Sequence, residues 1–248
     1  MIEITPVACS LRVAASPLQG GTPCAPAKPV ARCFWVGAVS ALCLAVAACS
    51  SNPPPPQWPA EAKGGSERAT EAWLGGNSRI EAAEFNRARA ELASTGQVAL
   101  VARLELLRCA TRVASLVVEP CAGFEALAQD AAPAEQAYAR YLAGTAQAGD
   151  AALLPEVHRA LLGNASPDTA LASIQDPLSR LVAAGVLFRS GRATPGVIAT
   201  AVDTASARGW RRPLLAWLQL QQQRAQASGD AAAVAALQRR IDLVAPPR

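Results

Sequence analysis

After residue 66, prolines and glycines punctuate the chain at positions that are typical of helix ends. Ser166-Pro167, Asp176-Pro177 and Thr194-Pro195 each place a hydroxyl or a carboxylate directly before a proline. Such a side chain caps the first turn of a helix, and proline is well tolerated within that turn. Because no long alternating β pattern is present either, we predict an all-α domain. Glycines stand at the predicted helix ends, at residues 75, 76, 149, 163, 191, 209 and 229.

The composition also favours helices. Apolar residues make up 51% of the chain but aromatic residues only 4%, and a core of Ala, Leu and Val suits closely packed helices rather than sheets. The predicted helices lie near residues 66–74, 79–94, 97–117, 122–130, 133–148, 151–162, 167–174, 177–189, 195–208, 212–228 and 230–244.

A weak internal repeat indicates how these helices are arranged. Residues 146–152 are similar to residues 225–232, and Gly149, Gly191 and Gly229 are spaced by 42 and 38 residues. A period near 40 residues is typical of stacked two-helix units, each of which buries its apolar face against a neighbour. We therefore predict a solenoid-like stack of antiparallel helical hairpins over residues 66–248.

The last predicted hairpin resembles a tetratricopeptide repeat. Gly229-Asp230 stands at its turn and Pro246 at the closing position, but Val234 and Gln238 occupy places where that motif has a small residue and an aromatic. The resemblance supports helical hairpins without assigning the tetratricopeptide family.

The N-terminal part has the organisation of a secretory signal. Residues 33–48 form a 16-residue run without a charge, preceded by Lys28 and Arg32. A basic segment, an apolar segment and small residues at its end are the parts of a signal peptide. The run is short for a membrane span, which needs about 20 apolar residues. An uncleaved signal anchor is the alternative.

The end of this run, Val46-Ala47-Ala48-Cys49, resembles the lipobox of bacterial lipoproteins. The resemblance covers residues 28–51. It implies that the Cys49 thiol is diacylglycerylated, that the preceding peptide is cleaved and that the new amino group is acylated, for example with palmitate. Several acyl chains anchor a protein to a membrane stably, whereas one chain binds reversibly. Ser50, being a residue other than Asp, implies the outer membrane, with the domain facing the periplasm.

These features divide the chain into four parts. We interpret residues 1–29 as a non-native or disordered extension, with translation starting near Val30. Residues 30–48 are the predicted lipoprotein signal peptide, and residues 49–65 the lipidated cysteine and a Pro-rich tether, which is either a stiff polyproline segment or an ordinary disordered leader. Residues 66–248 are the helical domain.

Cys109 and Cys121 are the two cysteines that follow Cys49. In an exported protein such a pair is usually oxidised, and closing this loop would stabilise the fold by about 3 kcal/mol. The pairing requires the helix to end before Val117 or the chain to turn back at once at Glu119-Pro120. Two cysteines without a nearby histidine are too few ligands for a metal, so we predict no metal site.

A stripe of Trp210, Leu214 and Trp217 follows helical spacing. Such a stripe is more often core than ligand site, but if exposed it would be a contact patch for a partner. His158, the only histidine, is interpreted as a surface or half-buried helix residue rather than a general base. Glutamates 81, 84 and 91 share a predicted helix with arginines 79, 87 and 89, which predicts surface ion pairs.

These patterns favour a non-catalytic envelope protein that interacts with another envelope protein. The part from Cys49 onward has 20 Lys and Arg against 18 Asp and Glu, too weak an excess to indicate nucleic acid. No catalytic residue or cofactor is predicted, because no nucleotide, zinc or nucleophile motif is found. The alternatives are a purely structural component and a protein that binds or hydrolyses peptidoglycan. Hydrolysis would need two of Glu119, Glu125 and Glu156 in one cleft.

Overall fold

The computed structural model of the protein describes residues 55–163 and 165–245. The predicted signal peptide, Cys49 and Pro246 lie outside these residues. All regular structure in the described residues is helical, which confirms the all-α class. The α-helices are α1 (Trp58–Leu74), α2 (Ser78–Ala93), α3 (Val98–Ala114), α4 (Ala122–Glu125), α5 (Pro133–Ala143), α6 (Glu156–Arg159), α7 (Pro167–Ala172), α8 (Pro177–Arg189), α9 (Pro195–Arg208), α10 (Arg211–Ala227) and α11 (Ala231–Val244).

The predicted capping residues begin the helices that follow them. The side chains of Ser166, Asp176 and Thr194 each accept a hydrogen bond from the backbone N–H three residues later, and a proline stands in the first turn of each helix. At the other end of α9, Gly209 takes a left-handed conformation with φ 65°. Local capping chemistry therefore sets these boundaries.

Helix α1 begins at Trp58, so the predicted boundary at residue 66 is wrong. Gly64 and Gly65 favour a break in an isolated helix, but here they lie inside α1. A Cβ added at Gly65 would lie 3.0 Å from Cβ of Ala88. The glycine thus lets the backbones of α1 and α2 approach closely, and tertiary packing outweighs its low helix propensity.

The predicted helices over residues 133–148 and 151–162 are shorter than expected. Helix α5 ends at Ala143 because Gly144 adopts a left-handed conformation with φ 76°. The following segment consists of single turns, namely the 3-10 helices Ala148–Leu153 and Ala160–Leu162 on either side of α6.

Helix α3 is the centre of the fold. It packs against α2, α5 and α8, and Ala102, Leu106 and Ala114 on it are completely or almost completely buried. Contact with α8 is close because Gly185 has no side chain, and a Cβ there would overlap the carbonyl of Val113. Small residues are favourable in a helix that is surrounded in this way, because each one allows the backbone of a neighbouring helix to pack more closely.

Helices α8 to α11 pack in sequence as hairpins, but the chain does not form a simple open stack. The start of α10 contacts the end of α1, where the Trp210 indole N–H donates to Glu71 at 3.0 Å and Arg212 donates to the Trp73 carbonyl at 2.8 Å. In a solenoid each unit contacts only its neighbours. The solenoid-like arrangement is therefore not confirmed.

Leu116 gives the end of α3 an unusual backbone. Its φ is 57°, the one positive value at a non-glycine residue in the described part of the chain. The N–H groups of Leu116 and Val117 donate to the carbonyls of Val113 and Arg112, which is the paired bonding of a Schellman motif. Glycine usually occupies this position because a Cβ disfavours it.

Leu116→Gly should therefore be about 1 kcal/mol more stable than Leu116→Ala, because both variants lose the same contacts and only alanine keeps the left-handed strain. Ala83→Gly, at an exposed position within α2, is the control and should cost roughly 0.5–1 kcal/mol. Urea unfolding measures all three variants. A Leu116→Gly protein less stable than Leu116→Ala would contradict the assignment.

Candidate functional site

Cys109 and Cys121 form a disulfide, with their Cα atoms 5.8 Å apart. Helix α3 ends at Ala114, three residues before Val117, and the chain then turns back. The predicted helix end at residue 117 is thus wrong, and the earlier end is one of the two arrangements that permit the pairing. The disulfide ties α3 to the short helix α4, whose Phe124 is buried in the main core.

The Trp73 side chain joins three helices that are distant in sequence. Its ring lies between the guanidinium groups of Arg112 on α3 and Arg212 on α10, at 3.7 and 3.8 Å from the ring centroid. Its indole N–H donates to the carbonyl of Thr111 at 3.1 Å. Stacking of a cation on both faces of a tryptophan is favourable when the groups are shielded from water, so this contact fixes α1 against α3 and α10.

Glu81 completes this cluster and is not the surface residue that the sequence predicted. It is only 3% exposed, and it accepts hydrogen bonds from Arg108 at 2.9 Å and from Arg112 at 3.0 Å. Burial lowers the pKa of Arg112, and the negative charge of Glu81 opposes this shift. The prediction was wrong because α3 covers this face of α2. Glu84, by contrast, pairs with the more exposed Arg68 and Arg87.

His158 is also buried, at 3% exposure, which corrects the prediction of a surface or half-buried residue. Its Nδ1 lies 3.0 Å from the hydroxyl of Tyr141, which is fully buried. Burial lowers the pKa of His158 to about 4 and raises the pKa of Tyr141. Both groups are therefore neutral at pH 7, and each is the hydrogen-bond partner of the other within the core.

A cavity of about 200 Å³ lies beside Tyr141. Its wall is mostly apolar, formed by side chains such as Leu161 and Val186, with the exposed Ser190 and Arg192 at its edge. The predicted carboxylates Glu119, Glu125 and Glu156 are all exposed and none of them lines this cavity. Across residues 55–163 and 165–245, no three His, Cys, Asp or Glu side chains are placed to hold a metal ion.

The aromatic stripe belongs to the core. Trp210, Leu214 and Trp217 are buried, and the Trp217 indole N–H donates to the carbonyl of Ala114 at 3.0 Å. The preferred interpretation of the stripe as core is therefore confirmed, and the exposure that a contact patch would need is not found. The same residues hold α10 against the end of α3, which explains why they follow helical spacing.

Charge divides the domain into two unequal parts. Residues 58–188 contain 11 Lys and Arg against 15 Asp and Glu, whereas residues 189–245 contain 8 Arg against 3 Asp. In the first part, 8 of the 11 cations have a carboxylate within 4.0 Å; in the second, no arginine has one among the described residues. This contrast was not among the predictions from sequence, although the lack of glutamate after residue 188 is visible there.

Part of this arginine set has a structural role. Arg189, Arg192, Arg212 and Arg224 donate to backbone carbonyls of other segments. The carbonyls that accept from the first three lie in the last turn of a helix, where the partial charge is negative. Arg208, Arg211, Arg239 and Arg240 are exposed. We call these last four residues, together with Leu243, the C-terminal basic surface.

Leu243 is the most exposed large apolar side chain among the described residues, at 85%. It lies one turn after Arg239 on α11, so the two side chains share a face of the helix. The opposite face carries Leu237 and Ile241, which are buried against α10 and the core. The outer face of α11 thus combines Arg239 and Arg240 with the exposed Asp242 and one apolar residue.

Comparison with protein-family models, with curated proteins and with solved structures gives no match. Within the described residues, none of the helices combines the length and apolar character needed to cross a membrane.

We expect Glu81→Gln to destabilise the domain by about 3 kcal/mol, because it leaves the buried Arg112 charge uncompensated. Glu84→Gln is a matched control on the same helix, since Glu84 also contacts two arginines but near the surface, and it should cost less than about 1 kcal/mol. Chemical unfolding measures both changes. Equal effects would show that burial of Glu81 does not matter energetically.

Burial of neutral His158 should make stability depend on pH. Its pKa is about 4 in the folded protein and about 6.5 when unfolded. Protonation therefore favours unfolding, so the contribution is complete above pH 6.5 and is lost as the pH falls towards 4, by about 3 kcal/mol. Between pH 6.5 and 4, the free energy of unfolding should fall more for the wild type than for His158→Gln, as measured by chemical unfolding at each pH. An equal fall for both proteins would show that His158 does not cause the pH dependence.

Proposed function

We propose that the protein is a lipid-anchored component of the bacterial cell envelope, located at the outer membrane and facing the periplasm, whose helical domain is a non-catalytic interaction module. The observation that carries this proposal is the apolar run that ends in Val46-Ala47-Ala48-Cys49. Cys49 is the site of lipidation in this proposal.

The disulfide supports export. Structural disulfides persist in the periplasm and are rare in the cytosol. Seven cysteines are present in the chain, and only Cys49, Cys109 and Cys121 would remain after cleavage before Cys49. Since the last two pair with each other, a processed chain would have one thiol left, and that thiol is the lipidation site.

The placement of the polar groups favours interaction over catalysis. His158 and Tyr141 satisfy each other in the core, and Glu81 is held by two arginines. Most of the arginines without a carboxylate partner in the described structure lie instead in residues 189–245, where several are exposed. An exposed surface with an excess of positive charge is suited to binding a partner of opposite charge.

Intact mass spectrometry of protein extracted from membranes tests the proposal. We expect a chain that begins at an acylated Cys49 and gains two hydrogens on reduction, as one disulfide requires. Cys49→Ser should remain unprocessed and lack the acyl mass, while Cys109→Ser is the control that keeps the acyl mass and loses the two-hydrogen change. A wild-type chain that starts before Cys49, or that carries no lipid, would refute the anchor.

A further inference from the structure

The four exposed arginines of the C-terminal basic surface lie on three consecutive helices, of which α10 packs against both α9 and α11. Arg208 and Arg211 flank the turn between α9 and α10, and Arg239 and Arg240 lie on α11. Gln222 on α10 bonds to Gln238 on α11 at 2.8 Å, which sets the register of this antiparallel pair. Arg240 is then level with about residue 220 of α10, roughly 13 Å along the helix axis from Arg211.

The length of chain between the predicted anchor and the helical domain permits contact of this surface with the membrane. Helix α1 is about 25 Å long, and its last turn contacts Arg212 at the start of α10. The nine residues from Cys49 to Gln57 can span up to about 30 Å when fully extended. A chain of this length allows the C-terminal basic surface to reach a membrane that holds Cys49.

We propose that the C-terminal basic surface lies against anionic phospholipid headgroups of the membrane that carries the anchor, with Leu243 inserted among them. This inference rests on the proposed lipidation of Cys49. Arginine side chains bind headgroup phosphates and an apolar residue enters the interface, which is the composition of helices that lie on membranes. Four exposed cations and one exposed leucine, with Asp242 as the one carboxylate on α11, fit an anionic lipid surface better than an apolar groove on a protein.

Because the anchor tethers the domain to the membrane, a modest attraction between the C-terminal basic surface and the lipid is sufficient for docking. Each basic residue near an anionic leaflet favours the bound state by about fivefold, and the anchor already keeps the domain at high effective concentration beside the membrane. The lipid would hold the protein at the membrane, and the basic surface would set its orientation. Residues 58–188, with their net negative charge, would then face away from the bilayer and be available to an envelope partner.

An environment-sensitive fluorophore at residue 243 tests this orientation. The lipidated protein with Leu243→Cys can be labelled selectively with nitrobenzoxadiazole, because the Cys49 thiol carries lipid and Cys109 and Cys121 are paired in the disulfide. It is reconstituted into phosphatidylcholine vesicles with and without phosphatidylglycerol. The matched control carries the same label at Lys63→Cys, an exposed position on α1 whose side chain is 66% accessible.

We expect blue-shifted emission for the label at 243 only in vesicles that contain phosphatidylglycerol, and no shift for the label at 63. Raising the salt from about 0.1 M to 1 M should reverse the shift, since the Debye length falls from about 10 to 3 Å. Arg239→Gln with Arg240→Gln should lower the ratio of docked to free domain about 25-fold, whereas Arg87→Gln, an exposed arginine on α2, should leave it unchanged.

Three results would overturn the inference: the same emission in both kinds of vesicle, a shift that survives the double arginine substitution, or an equal shift when soluble polyglutamate is added to phosphatidylcholine vesicles. The last result would identify an acidic polymer or protein as the partner. An anchored protein with water-like emission at 243 would overturn this inference alone. A protein without lipid on Cys49 would overturn the proposed function as well, and the mass spectrum distinguishes the two.

Discussion

The contact of Trp73 with two arginines holds together parts of the chain that lie more than a hundred residues apart. Arg112 approaches one face of the ring from α3 and Arg212 the other from α10, and Arg212 also donates to the Trp73 carbonyl. Together with the hydrogen bond from Trp210 to Glu71, this contact joins α1 directly to the start of α10. The closure is what separates this fold from a row of hairpins, in which the first and last units never meet.

The elements that the sequence predicts well are those governed by local chemistry. Side chains such as Asp176 cap a helix by accepting a hydrogen bond from the backbone N–H three residues later. The capping residue and the helix start that it determines therefore lie in the same short segment. The disulfide was predictable for a similar reason, because few cysteines remain after Cys49. Errors occur where a distant segment decides the outcome: Gly65 stays helical because Ala88 packs against it, and Glu81 is buried because α3 crosses above it.

The candidate residues show the same limit. The spacing of Trp210, Leu214 and Trp217 correctly indicates one helical face, but spacing alone does not tell which face meets the core. His158 has no distinguishing neighbour in sequence, since its partner Tyr141 belongs to another helix. The excess of arginine after residue 188 could have been found by counting charges in segments. Whether those charges were compensated required the positions of carboxylates in space.

Compensation of charge also explains why the two parts of the domain can have different roles. In residues 58–188, most cations are held by carboxylates, and pairs such as Arg112 with Glu81 contribute to rigidity because both partners are desolvated. In residues 189–245, arginines either bond to carbonyls or remain exposed, so their charge is not cancelled and its field extends into solvent for about one Debye length. In our proposal, an anionic surface supplies the opposite charge that these arginines lack within the described structure. Residues 58–188 thus hold residues 189–245 in place. A change in salt concentration should act mainly on the electrostatic interactions of residues 189–245, because their arginines are not paired with carboxylates among the described residues.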